Sequence, residues 1–138
     1  MSPYGFQSGS LFIDPNGKPE EKYKMIYVGL MPVEDMDAAK KKYTEMFGDA
    51  LDPKGFTVLN DKPYVKGLYG AVSPDGIHWK CIEEPLMVQP SDTLNTCVWD
   101  AERQAYIAYI VCAMAIAVLL AAWKAKISSA GSRPRRSC

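Results

Sequence analysis

The sequence predicts a mainly β fold, because short runs of branched and aromatic residues alternate with turn signals along most of the chain. The tetrapeptide DPNG at 14–17 follows the apolar run 11–13, and Asp-Gly at 75–76 separates the β-like runs 68–73 and 78–82. Asn-Gly and Asp-Gly between such runs are strong hairpin signals. The length of 138 residues sets an upper limit of about one domain.

Four strands are predicted in the first part of the chain, at 11–14, 23–29, 68–73 and 78–83. Between 34 and 47 the apolar residues recur at three- and four-residue steps, which predicts an inserted helix. Asp35 or Asp37 can cap its start, and Gly48 can end it in a left-handed turn. Residues 1–10 are polar and rich in glycine and serine, so we expect an irregular lead-in there.

An internal repeat links the start of the chain to its middle. The stretch that ends at Asp14 matches the stretch that ends at Asp100, 86 residues later. Downstream, the run around Tyr27 matches the run around Tyr109, 82 residues later. A repeated strand pair with a second hairpin between its copies describes a four-stranded blade. The sequence therefore predicts a partial β-propeller over 11–104, with about one antiparallel blade and part of a second.

Charge and cysteine content narrow the classes of function. Lys+Arg and Asp+Glu balance at 16 each, so no polyanionic partner such as nucleic acid is expected. A single histidine, His78, and the lack of Cys-x-x-Cys spacing argue against a zinc site, and no cofactor is predicted. Three reduced, partly buried thiols and a loose fourth at the terminus are expected among Cys81, Cys97, Cys112 and Cys138.

Residues 105–123 form an uncharged apolar run, and we expect a C-terminal helix from about 103 to 127. The run reaches the minimum length of a membrane span, and the basic residues after it suit a cytoplasmic C-terminus. Three interpretations stay open: a membrane anchor, an apolar helix buried in a soluble fold, or the product of a shifted reading frame. A basic, disordered tail is expected at 128–138. The N-terminus has no basic start and no apolar run, so no secretory signal is expected.

Three ordered motifs carry a family resemblance: FIDPNGKPEEKYKMIYVG at 12–29, AVSPDGIHW at 71–79 and SDTLNTCVWDAERQAYIAYI at 91–110. In this order they resemble the five-bladed β-propeller proteins related to glycoside hydrolase families 32 and 43, over about 8–110. The resemblance implies a funnel-shaped site at the propeller axis, carboxylates from the innermost strands, and hydrolysis of a glycosidic bond.

The heptapeptide SPDGIHW at 73–79 resembles the Asp-box hairpin of sugar-processing propellers, with one residue fewer between Asp and Gly. This resemblance implies a structural role for the hairpin between two outer strands. Asp75 is expected to accept hydrogen bonds from turn amides, and Trp79 is expected to pack against the blade.

The resemblance also implies two catalytic candidates and one sugar-binding candidate. Asp92 precedes an innermost strand, where family members place acids that face the axis, and Asn95 would then hydrogen-bond a sugar hydroxyl. Asp14 lies in a DPNG context that resembles the family's catalytic motif. The alternative for Asp14 is an aspartate that closes its turn through its own backbone. Glycosidases need two carboxyl groups, about 5–5.5 Å apart for retention and about 6.5–9.5 Å apart for inversion.

Together these observations predict a fragment of a glycoside-hydrolase-like propeller, inactive alone, whose complete relatives act on a carbohydrate substrate. A five-bladed domain of this kind needs about 300 residues, so the other acid of the pair is expected outside this chain. The alternative is a small, single-span membrane-anchored protein with a β-rich head and no catalysis, held in the membrane through 105–123. The sugar, the linkage, the stereochemical outcome and the localisation are not predicted.

Overall fold

The computed structural model describes residues 7–92, 94–112 and 115–120. Within these residues the fold is mainly β, as predicted, with two antiparallel sheets and one α-helix. The strands are β1 (Gln7–Ile13), β2 (Tyr23–Pro32), β3 (Phe56–Leu59), β4 (Lys62–Ser73), β5 (Lys80–Cys81), β6 (Thr96–Asp100), β7 (Ala105–Cys112) and β8 (Ala115–Leu120). The helix α1 is Met36–Phe47.

Sheet 1 contains the four strands of the predicted blade. The strands β1, β2, β4 and β5 lie side by side in that order, and each neighbouring pair is antiparallel. The prediction of an irregular lead-in at 1–10 is wrong from Gln7 onwards, because β1 begins at Gln7 and pairs with β2. Residues 1–6 lie outside the described part of the chain.

A further strand of sheet 1, β3, has no counterpart among the predicted strands. It pairs with the first half of β4 across a two-residue turn. The turn residues Asn60 and Asp61 have φ angles of 50° and 60°, and Asn and Asp tolerate this left-handed geometry in tight hairpins. The run FTVL followed by Asn-Asp is therefore a hairpin signal that the sequence does contain.

The inserted helix forms where it is predicted, since α1 covers Met36–Phe47 of the expected 34–47. The Asp35 side chain accepts hydrogen bonds from two backbone amides of the first turn, which satisfies donors that have no partner within the helix. Gly48 ends the helix with a φ of 54°. The apolar side of α1 packs against sheet 1, as the spacing of its apolar residues indicates.

The C-terminal helix predicted from about 103 to 127 is wrong over the described residues. Ala105–Cys112 forms β7 and Ala115–Leu120 forms β8, and β7 pairs with both β6 and β8. The branched and aromatic residues of β7 suit a pleated sheet, and ladder pairing on both sides outweighs the helix propensity of its alanines. Among the described residues, no helix has the length and apolarity to cross a membrane. Residues 121–127 and the tail expected at 128–138 lie outside the description.

Two cysteines differ in redox state. Cys97 has a free, buried thiol, and burial raises the pKa of that thiol to about 12, so it packs as a small apolar side chain. Cys81 is disulfide-bonded, so the expectation of reduced thiols is wrong for this residue. A disulfide depends on which thiols meet in space, and the spacing of cysteines along the chain does not reveal this.

Sheet 1 and sheet 2 (β6, β7 and β8) stack with their strands running the same way. Ser10 Oγ lies 3.4 Å from Thr96 Oγ1, whereas Phe12 lies near Tyr106, with 6.0 Å between the ring centroids. Tyr106 pairs with Trp99 of β6. Ser10 and Phe12 of β1 therefore lie beside Thr96 and Trp99 of β6, in the same order along the chain, so the two strands run in the same direction. The strand β1 contacts β6, and Lys24 of β2 lies over the ring of Tyr106 of β7, so the order of the strands is the same in both sheets.

This stacking decides which side of each sheet is covered. Because the strands have the same direction and the same order in both sheets, corresponding sides of the two sheets point the same way. Sheet 1 therefore contacts sheet 2 with one side, and sheet 2 contacts sheet 1 with the opposite side. We call the side of sheet 1 that contacts sheet 2 its front, and the side of sheet 2 that contacts sheet 1 its back. The contact is made by Phe12, Lys24, Ile26 and Val28 from the front of sheet 1, and by Cys97, Trp99, Tyr106, Ala108 and Ile110 from the back of sheet 2.

The pairing of the strands defines the register of the internal repeat more closely than the sequence does. Phe12 pairs with Lys24 in sheet 1, and Val98 pairs with Ile107 in sheet 2. In the predicted match between the first strands, Phe12 corresponds to Val98, with an offset of 86 residues. This match agrees with the stacking, since both residues lie on the fronts of their sheets. It follows that Lys24 corresponds to Ile107, 83 residues later.

The predicted match of Tyr27 with Tyr109, 82 residues apart, is therefore wrong by one residue. Tyr27 corresponds to Ile110, and both side chains are buried, whereas Tyr109 is exposed. A shift of one residue moves every side chain of a strand to the other face. The sequence favours the wrong register because it aligns two identical residues, and only the strand pairing gives the correct register.

Candidate functional site

The side chain of Asp14 lies between the two sheets, directly after the end of β1, and is buried. Its Oδ1 accepts a hydrogen bond from the Asn16 amide at 2.9 Å. Its Oδ2 accepts one from Lys24 Nζ at 2.7 Å and another from the Tyr106 hydroxyl. Through this one carboxylate, the β1–β2 turn of sheet 1 is joined to β7 of sheet 2.

Lys24 supplies the positive charge that balances Asp14. The lysine lies in β2, and only 2% of it is exposed. Its Nζ also donates to the Glu21 carbonyl oxygen at 3.3 Å and lies 5.5 Å from the centroid of the Tyr106 ring. A buried ammonium group is costly unless it is both paired and hydrogen-bonded, and this one is both.

The surroundings of Asp14 keep it ionised. Burial alone would raise its pKa, but the hydrogen bonds from Lys24, Tyr106 and the Asn16 amide, together with the lysine charge, lower the pKa below its ordinary value. Burial and the neighbouring carboxylate raise the pKa of Tyr106, which therefore acts as a neutral donor at pH 7. An enclosed carboxylate of this kind is unsuited to be the proton donor of a glycosidase, which needs a raised pKa.

Asp100 occupies the position in sheet 2 that Asp14 occupies in sheet 1. Its Oδ1 accepts hydrogen bonds from the amides of Glu102 and Arg103, both at 2.9 Å, and its Oδ2 accepts one from Arg103 Nη1 at 2.5 Å. In both aspartates, Oδ1 therefore accepts a hydrogen bond from the backbone amide two residues later. In both, Oδ2 pairs with a cationic side chain, Lys24 for Asp14 and Arg103 for Asp100. This geometry is the turn-closing alternative for Asp14, and a catalytic role of Asp14 stays a prediction.

The other two predicted site residues lie in the loop before β6. Asp92 is exposed, and its amide donates to the Val111 carbonyl oxygen at 2.9 Å. Asn95 is buried: its Oδ1 accepts from the Ser91 hydroxyl at 2.7 Å, and its Nδ2 donates to the Asp92 carbonyl oxygen at 2.8 Å. Asn95 thus braces the backbone that presents Asp92, while its contact with a sugar stays a prediction.

The same loop contains a strained residue that the sequence does not reveal. Leu94 is exposed and has a φ of 65°, in the left-handed region that costs a non-glycine residue about 1–2 kcal/mol. Such strain persists where the surroundings hold it in place, and it is frequent at functional sites. The hydrogen bonds of Ser91 and Asn95 on either side provide this hold.

The structure does not bring Asp92 and Asp14 together. Asp92 is bonded to Val111 and Asp14 to Tyr106, and these two residues of β7 are five positions apart. At about 3.3 Å per residue, Tyr106 and Val111 are about 17 Å apart along the strand. The carboxyl groups of a glycosidase pair are at most about 9.5 Å apart, so the contacts with β7 do not bring Asp14 and Asp92 together as such a pair.

The hairpin at 73–79 has the structural roles predicted for Asp75 and Trp79. Asp75 Oδ1 accepts hydrogen bonds from the amides of Ile77 at 2.9 Å and His78 at 2.8 Å. The bond between its other oxygen and the His78 ring is the main reason why the pKa of Asp75 lies well below its usual range. Trp79 Nε1 donates to the Gly76 carbonyl oxygen at 3.1 Å, and its ring packs against the tyrosine cluster on the back of sheet 1.

Comparisons with protein-family models, with curated proteins and with solved structures found no match to this chain. In the described part of the chain, no group of three or more His, Cys, Asp or Glu side chains is placed to hold a metal ion. The features that bear on function are therefore the stacking of the two sheets and the loop that contains Asp92.

Replacing Tyr106 by phenylalanine tests the link between the sheets. We expect Tyr106→Phe to lower the free energy of unfolding by about 2 kcal/mol, because a hydrogen bond to a buried charge is lost while the ring packing stays. Urea denaturation followed by fluorescence measures the change. Tyr109→Phe, at an exposed position of the same strand, is the matched control and is expected to leave the stability unchanged. Equal stability of the two variants would contradict the role given to the Tyr106 hydroxyl.

Proposed function

We propose that this chain supplies two neighbouring blades of a carbohydrate-active β-propeller of the glycoside-hydrolase type, and that it does not hydrolyse glycosides by itself. The supporting observation is the stacking of two sheets with the same strand direction and order. Successive blades of a propeller repeat around a central axis, and such a repeat relates neighbouring sheets in this way. In this proposal β1 and β6 are the innermost strands, next to the axis.

The hairpin at 73–79 supports the same assignment. It joins β4 to β5, at the opposite edge of sheet 1 from β1, which is the outer edge of the proposed blade. Its hydrogen bonds stabilise the turn through Asp75 and tie the Trp79 ring to the end of the hairpin. This placement agrees with the resemblance to Asp-box hairpins, which also lie between outer strands.

Asp92 is the residue that we assign to the carbohydrate site. It is exposed, it lies before the proposed innermost strand of the second blade, and Asn95 braces its backbone next to the strained Leu94. Hydrolysis needs a second carboxyl group across the scissile bond. In this proposal the second group lies outside the described residues, since Asp14 is paired with Lys24 between the sheets. We therefore expect weak sugar binding at Asp92 without turnover.

Amide NMR spectra of the chain titrated with fructo-oligosaccharides and with methyl glycosides test this proposal. We expect shifts confined to the loop around Asp92 and dissociation constants near 1 mM, the weak end of specific binding. The shifts should disappear in Asp92→Asn and persist in Asp49→Asn, which changes an exposed acid of another turn. The lack of any shift, or equal shifts in the two variants, would contradict the site.

An activity assay on aryl-glycosides and on β-fructans complements the titration. No turnover above the buffer blank is expected from the purified chain. Turnover that Asp92→Asn abolishes would show that the chain has a second acid within reach and is a complete catalyst. Turnover that Asp92→Asn leaves unchanged would place the chemistry elsewhere and refute the assignment of Asp92.

A further inference from the structure

Two turns of sheet 1 place an amide or a carboxyl side chain directly before a glycine. They are Asn16-Gly17 in the β1–β2 turn and Asp75-Gly76 in the hairpin between β4 and β5. In both, the backbone nitrogen of the glycine can attack the side-chain carbonyl carbon of the preceding residue and form a cyclic succinimide. Glycine favours this reaction, because it has no Cβ to hinder the approach. The surroundings of the two turns decide which of them reacts.

The Asp-Gly hairpin holds both of its reacting groups in place. The Gly76 amide donates a hydrogen bond to Ser73 Oγ at 2.8 Å. The Asp75 carboxylate pairs with the His78 ring and accepts hydrogen bonds from the backbone amides of His78 and Ile77. These contacts, the His78 ring first, keep the pKa of Asp75 well below its usual range. The carboxyl group is therefore ionised at neutral pH, and an ionised carboxylate is a poor target for a nucleophile.

The Asn-Gly turn restrains its reacting groups less. Asn16 is exposed, and no described residue hydrogen-bonds to its side-chain amide. This amide is uncharged, so its carbonyl carbon stays open to attack. The Gly17 backbone amide donates to the Asp14 carbonyl oxygen at 3.2 Å, which is the long end of the hydrogen-bond range. Both the nucleophile and the group that it attacks are thus less tightly held than in the Asp-Gly hairpin.

We propose that Asn16 is a site of spontaneous covalent modification, at which the Asn16-Gly17 link converts to an isoaspartyl-glycine link. The Gly17 nitrogen bonds to Asn16 Cγ, its proton goes to water, and the side-chain nitrogen leaves as ammonia. Water then opens the succinimide. Opening at the main-chain carbonyl gives isoaspartate, in which the backbone runs through the former side chain, and opening at the other carbonyl gives aspartate. The net reaction consumes water and releases ammonia, and it needs no oxidant or reductant.

This modification affects the link between the sheets, because Gly17 packs directly against Asp14. A Cβ atom built on Gly17 would lie 3.1 Å from Asp14 Oδ2 and 3.0 Å from the Glu21 carbonyl oxygen. Isoaspartate adds a methylene group to the backbone between Asn16 and Gly17, so Gly17 must shift against these neighbours. The reaction also adds a carboxylate close to Asp14, which Lys24 balances. Both changes weaken the contact of Asp14 with sheet 2.

Peptide mapping by mass spectrometry tests the site in the full chain. The folded chain is aged in neutral and in mildly alkaline buffer, and isoaspartyl methyltransferase with S-adenosylmethionine then labels any isoaspartate. We expect the label at position 16, and we expect it to accumulate faster in the alkaline buffer, because the Gly17 nitrogen must lose its proton. Asn60 and Asn95 precede Asp and Thr, so they are internal controls that should stay unmodified. Asn16→Gln, an exposed change, should abolish the label.

Ageing the chain in urea shows what the fold contributes. Unfolding removes the hydrogen bonds of the Asp-Gly hairpin, so we expect isoaspartate at Asp75 in the unfolded chain only. Two results would overturn the proposal: Asn16 stays intact in the folded chain, or Asp75 reacts as fast as Asn16 while the chain is folded. Neither result depends on sugar binding, so a failure here and a failure of the carbohydrate site are distinguishable.

The effect on stability has its own matched control. Asn16→Asp adds the same charge as the modification but keeps the normal backbone. We expect the isoaspartyl fraction, purified by chromatography, to unfold at a lower urea concentration than Asn16→Asp, because only isoaspartate moves Gly17 against Asp14. Equal unfolding midpoints would show that the longer backbone does not disturb the link between the sheets.

Discussion

Replacing Lys24 by methionine is expected to lower the free energy of unfolding by about 3–5 kcal/mol, the usual cost of removing one partner of a buried ion pair. Methionine keeps most of the aliphatic length of lysine but removes the ammonium group that lies 2.7 Å from Asp14 Oδ2. The carboxylate then stays between the sheets with its charge uncompensated. Urea unfolding at pH 7, followed by tryptophan fluorescence, measures the change in stability.

The equivalent ion pair of sheet 2 offers a matched control. Arg103 pairs with Asp100 after β6 as Lys24 pairs with Asp14 after β1, but the Arg103 side chain is mostly exposed. Solvent screens such a pair, so Arg103→Met should cost far less than Lys24→Met. The double variant Asp14→Asn, Lys24→Met removes both charges and should recover part of the loss. If the two single variants lose equal stability, burial of the pair is not the cause.

The effect of Lys24→Met should also depend on pH. The folded-state pKa of Asp14 is lowered, so the stability from this group is present above the unfolded-state pKa, near 3.8, and is lost as the pH falls through the folded value. Without the lysine, protonation relieves the uncompensated charge. The difference in stability between the two proteins should therefore narrow below about pH 4, and a constant difference would contradict this account.

Replacing Gly67 by alanine is expected to lower the free energy of unfolding by about 3 kcal/mol, at the upper end of overpacking effects. A Cβ atom at this position would lie 2.3 Å from the Met87 carbonyl oxygen. That oxygen is fixed, because it accepts the amide hydrogen bond of Leu68 at 2.9 Å. The alanine must therefore displace the segment 86–88, whose side chains are buried in the cores of the fold. Chemical denaturation measures the loss.

Gly48→Ala separates this steric effect from the conformational freedom of glycine. Gly48 ends α1 with a φ of 54°, and an added Cβ would meet no atom within 4 Å. Only backbone strain opposes the alanine, because side chains rarely adopt a φ of 54° with a ψ of −130°, so we expect a loss of about 2 kcal/mol. If Gly67→Ala costs no more than Gly48→Ala, the close approach of Met87 does not limit the packing of sheet 1.

Much of sheet 1 is predictable from local signals. The turn at 14–17 and the hairpin at 73–79 contain Gly beside Asp or Asn, and the capping aspartate and terminal glycine of α1 act within a few residues of the helix. Such signals are read from adjacent residues, and they need no knowledge of the rest of the fold. The strand β3 is not among the predicted strands, although Asn60-Asp61 is a signal of the same kind.

The candidate site was less predictable, because its character depends on residues far away in the chain. The sequence places Asp14 in a turn but does not show that Lys24 and Tyr106 enclose it. The strain at Leu94 has no sequence signature, and the bracing role of Asn95 depends on its burial. In each case the decisive partner or environment is set by how the sheets pack.

By itself, the sequence determined the β-rich character of the chain, its inserted helix and the match of Asp14 with Asp100, because turn residues and capping residues act over short distances. Tertiary structure decided that 105–112 is a strand, since pairing with β6 and β8 outweighs the helix propensity of its alanines. It also decided that Tyr27 corresponds to Ile110, since a strand's register is fixed by its partner and a shift of one residue exchanges the buried and exposed faces.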